Sequence, residues 1–235
     1  MKKKTVGLML FVVFLLLLPI LDYNNYHHVL MCQALVNITV VLGLNFITGL
    51  TGQMNLGTAG IMALGAYGSG LINARLGISP WIGFIIAIFI GIAIGYGLGY
   101  PSLRLKGVYL SLTTIGFSEI IRLVITNWVG LTGGTMGLQG IKNLEFFGIK
   151  LDTSFKIYYL YLGFVILLAF TAIRLVNTKW GRVFRAIRDN IDAVEASGIN
   201  AASYKIRAFT LAAVFGTLGG AMYTFLMGYV NPTTF

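Results

Sequence analysis

Apolar runs parted by short polar or glycine-rich breaks fill almost the whole chain, and one long polar segment interrupts them. The runs predict membrane-spanning helices at Val6 to Leu21, Val29 to Ile47, Leu56 to Ala74, Trp81 to Tyr100, Val108 to Val129, Ile157 to Val176 and Ala208 to Val230. Each is close to the roughly 20 apolar residues that a helix needs to cross a bilayer core. The first is short and follows Lys2, Lys3 and Lys4, as a signal peptide would. No small-x-small cleavage site follows, since the run ends Pro19-Ile20-Leu21-Asp22, so it is read as an uncleaved span. The expected fold class is all-α: a polytopic transmembrane helical bundle of about seven spans, one domain over residues 1–235.

The interrupting segment runs from Thr178 to Arg207. Within it Phe184, Ile187, Ile191 and Val194 recur at spacings of three, four and three, the apolar face of an amphipathic helix. Arg185, Arg188, Asp192 and Glu195 form a polar stripe beside them, and Gly198 falls where a C-cap belongs. Arginines crowd the N-terminal end and carboxylates the C-terminal end, against the helix dipole. The i,i+4 pairs Arg185/Asp189 and Arg188/Asp192 stand in the weaker orientation and contribute at most a few tenths of a kcal/mol each. Such a helix needs a surface to lie on, either lipid headgroups or a partner protein.

Composition narrows the class. The chain is 57% hydrophobic and 10% charged, as an integral membrane protein is. The net charge of +10 does not require a nucleic-acid partner, because its distribution follows membrane topology. Twelve of the 17 Lys/Arg fall in segments 1–5, 48–55, 101–107 and 177–207, counting Arg174 at a span end, four lie on the opposite side, and Arg122 is within a span. That bias places the N-terminus and the amphipathic loop (177–207) in the cytoplasm. Cys32 is the one cysteine, so no intrachain disulfide forms, and His27 and His28 have no third ligand near them in sequence and are expected in a loop at the membrane edge. There is no P-loop, no G-x-S-x-G and no H-E-x-x-H, so neither an enzyme nor a cofactor or metal site is expected.

Several stretches carry candidate chemistry. Thr48 to Thr58 combines three glycines with Gln53, Asn55 and Thr58 at a membrane boundary. These three are candidates to line a translocation path, since non-helical backbone at membrane depth is tolerated beside protein or water. An ordinary short turn is the alternative. Gly91, Gly95 and Gly99 repeat on one helix face, Gly216 and Gly220 on another, and the third span is rich in Gly and Ala. Small residues let helices approach, so these faces are expected helix–helix contacts. Glu119 and Arg122, three apart within a span, are expected to pair, as a structural pair or as part of an ion relay. The loop from Leu131 to Lys156 opens with Gly133, Gly134, Gly137 and Gly140 and is expected to be pliable or tightly turned, an external gate or a surface for an external partner.

Taken together, Gly49-Leu50-Thr51-Gly52-Gln53-Met54-Asn55-Leu56-Gly57, Leu103-Arg104-Leu105-Lys106-Gly107-Val108-Tyr109, Gly116 to Arg122, Thr132 to Leu138, Gly181 to Asn190 with Glu195 to Asn200, and Gly228-Tyr229-Val230-Asn231-Pro232 resemble one family. It is the LivM-type permease subunit of ATP-binding-cassette importers for branched-chain amino acids, a family that includes urea and amide permeases. The resemblance covers nearly everything beyond residue 35. It implies a bacterial or archaeal cytoplasmic (inner) membrane, separate ABC ATPase subunits, a second LivH-like permease and an extracytoplasmic substrate-binding protein. It implies that the loop helix docks on an ATPase, with Phe184, Ile187 and Ile191 as the docking face, Arg185, Arg188 and Glu195 setting register, and Gly198 closing the helix. Two departures stand. Family members continue past the position of Phe235, so a C-terminally truncated chain is expected. The Glu-Ala-Ala coupling pattern of importers is matched only through Glu195-Ala196-Ser197-Gly198. The competing class is an ion-coupled secondary transporter using Glu119.

Overall fold

The computed structural model describes residues 15–20, 24–105, 107–142, 144–146, 149–151 and 153–235. Its helices are α1 (Asn25–Leu44), continuing into a π-helical turn (Asn45–Leu50), α2 (Thr58–Leu76), α3 (Pro80–Ser102), α4 (Val108–Asn127), the short α5 (Val129–Thr132), α6 (Ser154–Asn177), α7 (Lys179–Asp189), α8 (Ile191–Ala196) and α9 (Ala201–Met227). Strands β1 (Glu145–Phe146) and β2 (Ile149–Lys150) form a small antiparallel pair between α5 and α6.

Among the described residues five segments are long and apolar enough to cross a membrane: Asn25–Leu50, Pro80–Ser102, Val108–Asn127, Ser154–Asn177 and Ala201–Met227. Two of the seven predicted spans are not among them. The first lies mostly outside the described residues, of which 15–20 are helical. The third exists as α2, 19 residues long, yet falls short in hydropathy because Gly, Ala, Ser and Asn replace large aliphatic side chains. The reason is its position: α2 runs between α9, α3 and α4, and a helix wedged among helices needs small residues more than greasy ones. The polar loop is also shorter than expected, because α9 begins at Ala201 rather than Ala208 and takes in Lys205 and Arg207. His27 and His28, expected in a loop, stand in the first turn of α1, and His28 is buried with Nε2 3.1 Å from the Pro19 carbonyl.

The hub is α9. In its most apolar stretch 72% of residues are buried, against 22% to 39% in the other four spans. It packs chiefly on α3, α2 and α1. Glycine sets these contacts. A Cβ at Gly65 would collide with the Thr217 carbonyl, and one at Gly220 with the Met62 carbonyl, so α2 and α9 lock reciprocally. A Cβ at Gly91 would lie 2.6 Å from Val214 Cα, and one at Gly95 would strike Thr210 Cα, which brings α3 onto the next face of α9. The predicted small-residue faces are thus the helix–helix contacts.

Consecutive spans alternate direction. The segment 51–53 and residues Leu105 and Gly107 meet α7 at one end, here called the loop end. At the far end segment 128–142 and β1 fold over the termini of α2, α3 and α9: Lys142 N donates to Asn73 Oδ1 at 2.6 Å, Trp81 Nε1 donates to the Glu145 carbonyl at 2.7 Å, and Leu138 and Val230 exchange backbone hydrogen bonds of 2.8 and 3.1 Å. Gly133, Gly134, Gly137 and Gly140 all have positive φ, so this loop is tightly turned rather than pliable.

Candidate functional site

The polar segment is built from three capped helices, not one continuous one. Thr178 Oγ1 accepts from Trp180 N at 3.3 Å to start α7, Asn190 Oδ1 from Ala193 N at 3.1 Å to start α8, and Asn200 Oδ1 from Ser203 N at 3.0 Å to start α9. Asn190 is extended (φ −159, ψ 106), so the predicted helix breaks there. Its side chain offers the backbone a cap, the usual reason Asn starts helices rather than continuing them. The break moves Asp192 into the first turn of α8, where the dipole favours it. It also parts Arg188 from Asp192; Arg188 instead holds Asp189 at 3.4 Å. Gly198 does close the helix: with φ +78 it follows the C-cap Ser197, Gly198 N donates to Glu195 O at 2.9 Å and Ile199 N to Val194 O at 3.3 Å, a Schellman motif.

The apolar face of α7 and α8 points inward. Phe184 is fully buried among Phe46, Leu50, Ala172, Ala208 and Phe215, drawn from α1 and its π turn, α6 and α9. Ile187 packs with Val194 and Ala201, and half-buried Ile191 borders them. The expected docking face of Phe184, Ile187 and Ile191 is therefore occupied by the chain's own spans. What is exposed is polar or small: Arg182, Arg185, Arg188 and Asp189 on α7, and Asp192, Ala193 and Glu195 to Gly198 around α8. Two further ties hold α7 in place. The Arg207 guanidinium lies over the rings of Trp180 and Tyr204, at 5.1 and 5.0 Å. Arg188 Nη1 donates to the Gly49 carbonyl in the π turn at 3.1 Å, and its stem lies 2.7 Å from where a Cβ on Gly52 would sit, a position with φ +68. Phe184→Ala is expected to cost about 3–5 kcal/mol of stability, read from unfolding in mild detergent, whereas Arg185→Ala should stay within about 0.5 kcal/mol; equal midpoints for the two would refute the inward seat.

The path candidates separate. Asn55 is buried and turned on its own loop, its Oδ1 accepting from Gly57 N at 2.9 Å. Thr58 begins α2 and is half-buried. Gln53 lines a cavity, but the one at the loop end beside Arg188, so these three are not brought together. Sequence reasoning missed two hydroxyls on α4. Thr114 Oγ1 accepts from Leu56 N and Ser118 Oγ from Gly60 N, both at 3.1 Å, satisfying amides around the start of α2. Their spacing of four, facing a glycine-rich helix start, was the available signal.

The second site lies on this α2–α4 seam. A cleft of about 130 Å³ is lined by Ala59, Gly60 and Ala63 of α2 and by Ile115, Ser118, Glu119 and Arg122 of α4. Glu119 and Arg122 form the expected pair, in fork geometry: Nη2 to Oε1 at 2.6 Å and Nε to Oε2 at 2.9 Å. The pair does not face the interior of this chain, since the side chains are 41% (Arg122) and 52% (Glu119) exposed. An ionic pair within a spanning helix is costly against lipid and belongs beside protein or water. Among the described residues no group of three or more His, Cys, Asp or Glu is placed to hold a metal ion.

Helices of this length and hydropathy, bedded on a central one and tied to a polar helix pair at one end, make a multi-pass helical membrane protein. The chain belongs to the family described as branched-chain amino acid transport system / permease component, whose model matches residues 28–235. That is a family of transport components, not of enzymes. The chain is 34% identical over 226 residues to the high-affinity branched-chain amino acid transport system permease protein LivM of Salmonella typhimurium, covering 86% of this chain and 53% of the relative. It is 29% identical over 191 residues to a probable LivM of Methanocaldococcus jannaschii, covering 78% and 50%. It is 24% identical over 227 residues to the autoinducer 2 import system permease protein LsrC of Yersinia enterocolitica, covering 93% and 59%. No solved structure matches. The chain spans about half the length of the curated LivM relatives it matches, 53% in the first case.

Proposed function

We propose that this chain is a membrane-spanning permease subunit of an ATP-binding-cassette importer, and that α7 and α8 couple its spans to a separate ATPase. The observation that carries this is the seat of the helix pair. Its apolar side is anchored by Phe184 and Arg188 to α1, α6 and α9, while its polar side faces outward. A push on the outer side is thereby transmitted to three spans as one body, which is what a lever between ATP hydrolysis and a pore requires. The loop end is cytoplasmic in this reading, consistent with the Lys/Arg bias. Coupling then falls to the exposed Arg182, Arg185, Asp189 and Glu195 to Gly198, not to Phe184 and Ile187. The cargo is a branched-chain amino acid, supported by the 34% identity to LivM, and an extracytoplasmic binding protein delivers it.

The translocation path runs along the α2–α4 seam, where a second, LivH-like permease covers the exposed Glu119–Arg122 pair. An ion pair in fork geometry offers a zwitterion both of the charges it needs.

The test is co-purification from the native membrane, with mass spectrometry of the associated chains. A P-loop ATPase should accompany the wild type and be lost from an Arg185→Glu/Glu195→Arg variant that elutes as a folded species. Ile187→Asp cannot serve, since that side chain is buried and its loss would report folding. Retention of the ATPase by the charge-reversed variant would move the coupling surface elsewhere; a wild type that purifies alone would remove the importer reading.

A further inference from the structure

The cleft on the α2–α4 seam has a width fixed by backbone. A Cβ at Gly57 would lie 2.6 Å from the Thr114 carbonyl oxygen and one at Gly60 2.7 Å from Ser118 Cα, so the two helices touch through main chain and cannot close further. Beside these contacts the gap of about 130 Å³ stays open. Its apolar lining includes Ala59 and Ala63, one turn apart on α2 and both ending at Cβ, and Ile115 of α4. Its polar lining is Ser118, Glu119 and Arg122. The charge pair keeps capacity to spare. The fork engages Arg122 Nε and Nη2, and Nη1 makes no hydrogen bond among the described residues. Each Glu119 carboxylate oxygen accepts once and has a second lone pair. Ser118 Oγ accepts from Gly60 N, which leaves its own proton to donate, and Ser118 and Arg122 are i,i+4 neighbours. An α-carboxylate can therefore take Arg122 Nη1 and Ser118 Oγ, and an α-ammonium can take Glu119, without breaking the fork.

Those polar groups meet the same head in every amino acid, so only the apolar lining can tell one cargo from another. We propose that this seam reads the side chain of the cargo, with Ala59 and Ile115 as its specificity-determining residues, so that the permease carries a selectivity of its own beside that of the binding protein. The inference rests on the path reading above and adds recognition to it. The two residues are chosen by exposure. Ala63 is 4% exposed and committed to packing, whereas Ala59 is exposed and Ile115 is 45% exposed. Side-chain size at these two positions sets the room left for the cargo without disturbing the helix contacts. Because the backbone contacts at Gly57 and Gly60 hold the walls apart, the gap does not adjust to a larger or smaller guest. A preformed apolar site of this kind discriminates by single methylene groups.

The experiment is uptake of labelled leucine and of labelled valine by the reconstituted transporter, each normalised to wild type with the same binding protein so that its preference cancels. Ala59→Val should lower the leucine-to-valine ratio roughly tenfold, the discrimination that one methylene carries in an apolar site. Adding Ile115→Ala to Ala59→Val should restore the ratio, which a merely structural role for either residue would not do. Leucine carrying a diazirine in its side chain should crosslink to the wild-type chain at Ala59 or Ile115, and excess leucine should block the labelling. An unchanged ratio in Ala59→Val, whether uptake of both falls together or not at all, overturns side-chain recognition and leaves the path standing. Crosslinks confined to helices other than α2 and α4 overturn it as well. Wild-type uptake by Glu119→Gln/Arg122→Gln removes the path itself, and this inference with it.

Discussion

Gly220→Leu is expected to leave almost no folded protein in the membrane, read as loss of the monodisperse peak on size exclusion after mild extraction. A Cβ at this position would run into the Met62 carbonyl and lie 2.8 Å from Ala66 N. Both obstacles are α2 backbone, which cannot rotate aside as a side chain does. Overpacking costs about 1–3 kcal/mol where neighbours can shift, and here relief requires moving α2 off α9. The reciprocal contact of Gly65 with the Thr217 carbonyl means that such a move breaks a second bed as well. Gly97→Leu is the control, because nothing lies within 4 Å of a Cβ there. It should fold as the wild type does. If Gly220→Leu also folds with an unchanged melting midpoint, α9 is not the hub described above.

Neutralising one member of the α4 ion pair should be worse than neutralising both. Arg122→Gln leaves a carboxylate alone within a spanning helix; its amount in the membrane should fall sharply, with transport lost. Glu119→Gln strands the guanidinium with a similar result. The double variant Glu119→Gln/Arg122→Gln carries no stranded charge and should recover membrane levels, since a broken pair costs more than an absent one. The two roles open for this pair diverge there. If it only supports packing, the double variant also recovers uptake of labelled leucine in the reconstituted transporter. If it lines the path, as proposed, uptake stays more than about tenfold down, the loss expected when a paired charge contact to the substrate is removed. Wild-type uptake by the double variant would end the path assignment and leave coupling by α7 and α8 untouched.

Much of the fold was legible because it is local. Span positions follow from runs of apolar residues, and the α2–α9 and α3–α9 contacts from small residues four apart. Gly198 closes α8 because a positive φ after a helix suits glycine. Other features were present in the sequence but outweighed. Asn190 and Asn200 are cap residues, yet the spacing of Phe184, Ile187, Ile191 and Val194 fits a continuous helix so well that the periodicity concealed the break. Counting apolar residues without weighing them likewise placed α2 on the same footing as the other spans, although its composition is that of a helix surrounded by helices.

The sequence by itself determined that this chain is a helical membrane protein, where five of its crossing stretches lie, which faces pack closely and that one polar loop is amphipathic. Such properties depend on residues near one another in the chain and on their transfer from water to lipid. Only the tertiary structure decided which way each face points. An apolar stripe on a loop helix serves equally for a partner or for the chain's own core, and burial of Phe184 beside Phe46 and Phe215 chose the core. A Glu and an Arg three apart pair wherever they stand, but their exposure on the α2–α4 seam depends on which helices lie beside α4. The tie from Arg188 to the Gly49 carbonyl joins residues 139 positions apart, and no local pattern encodes a contact whose two halves meet only after the spans have packed.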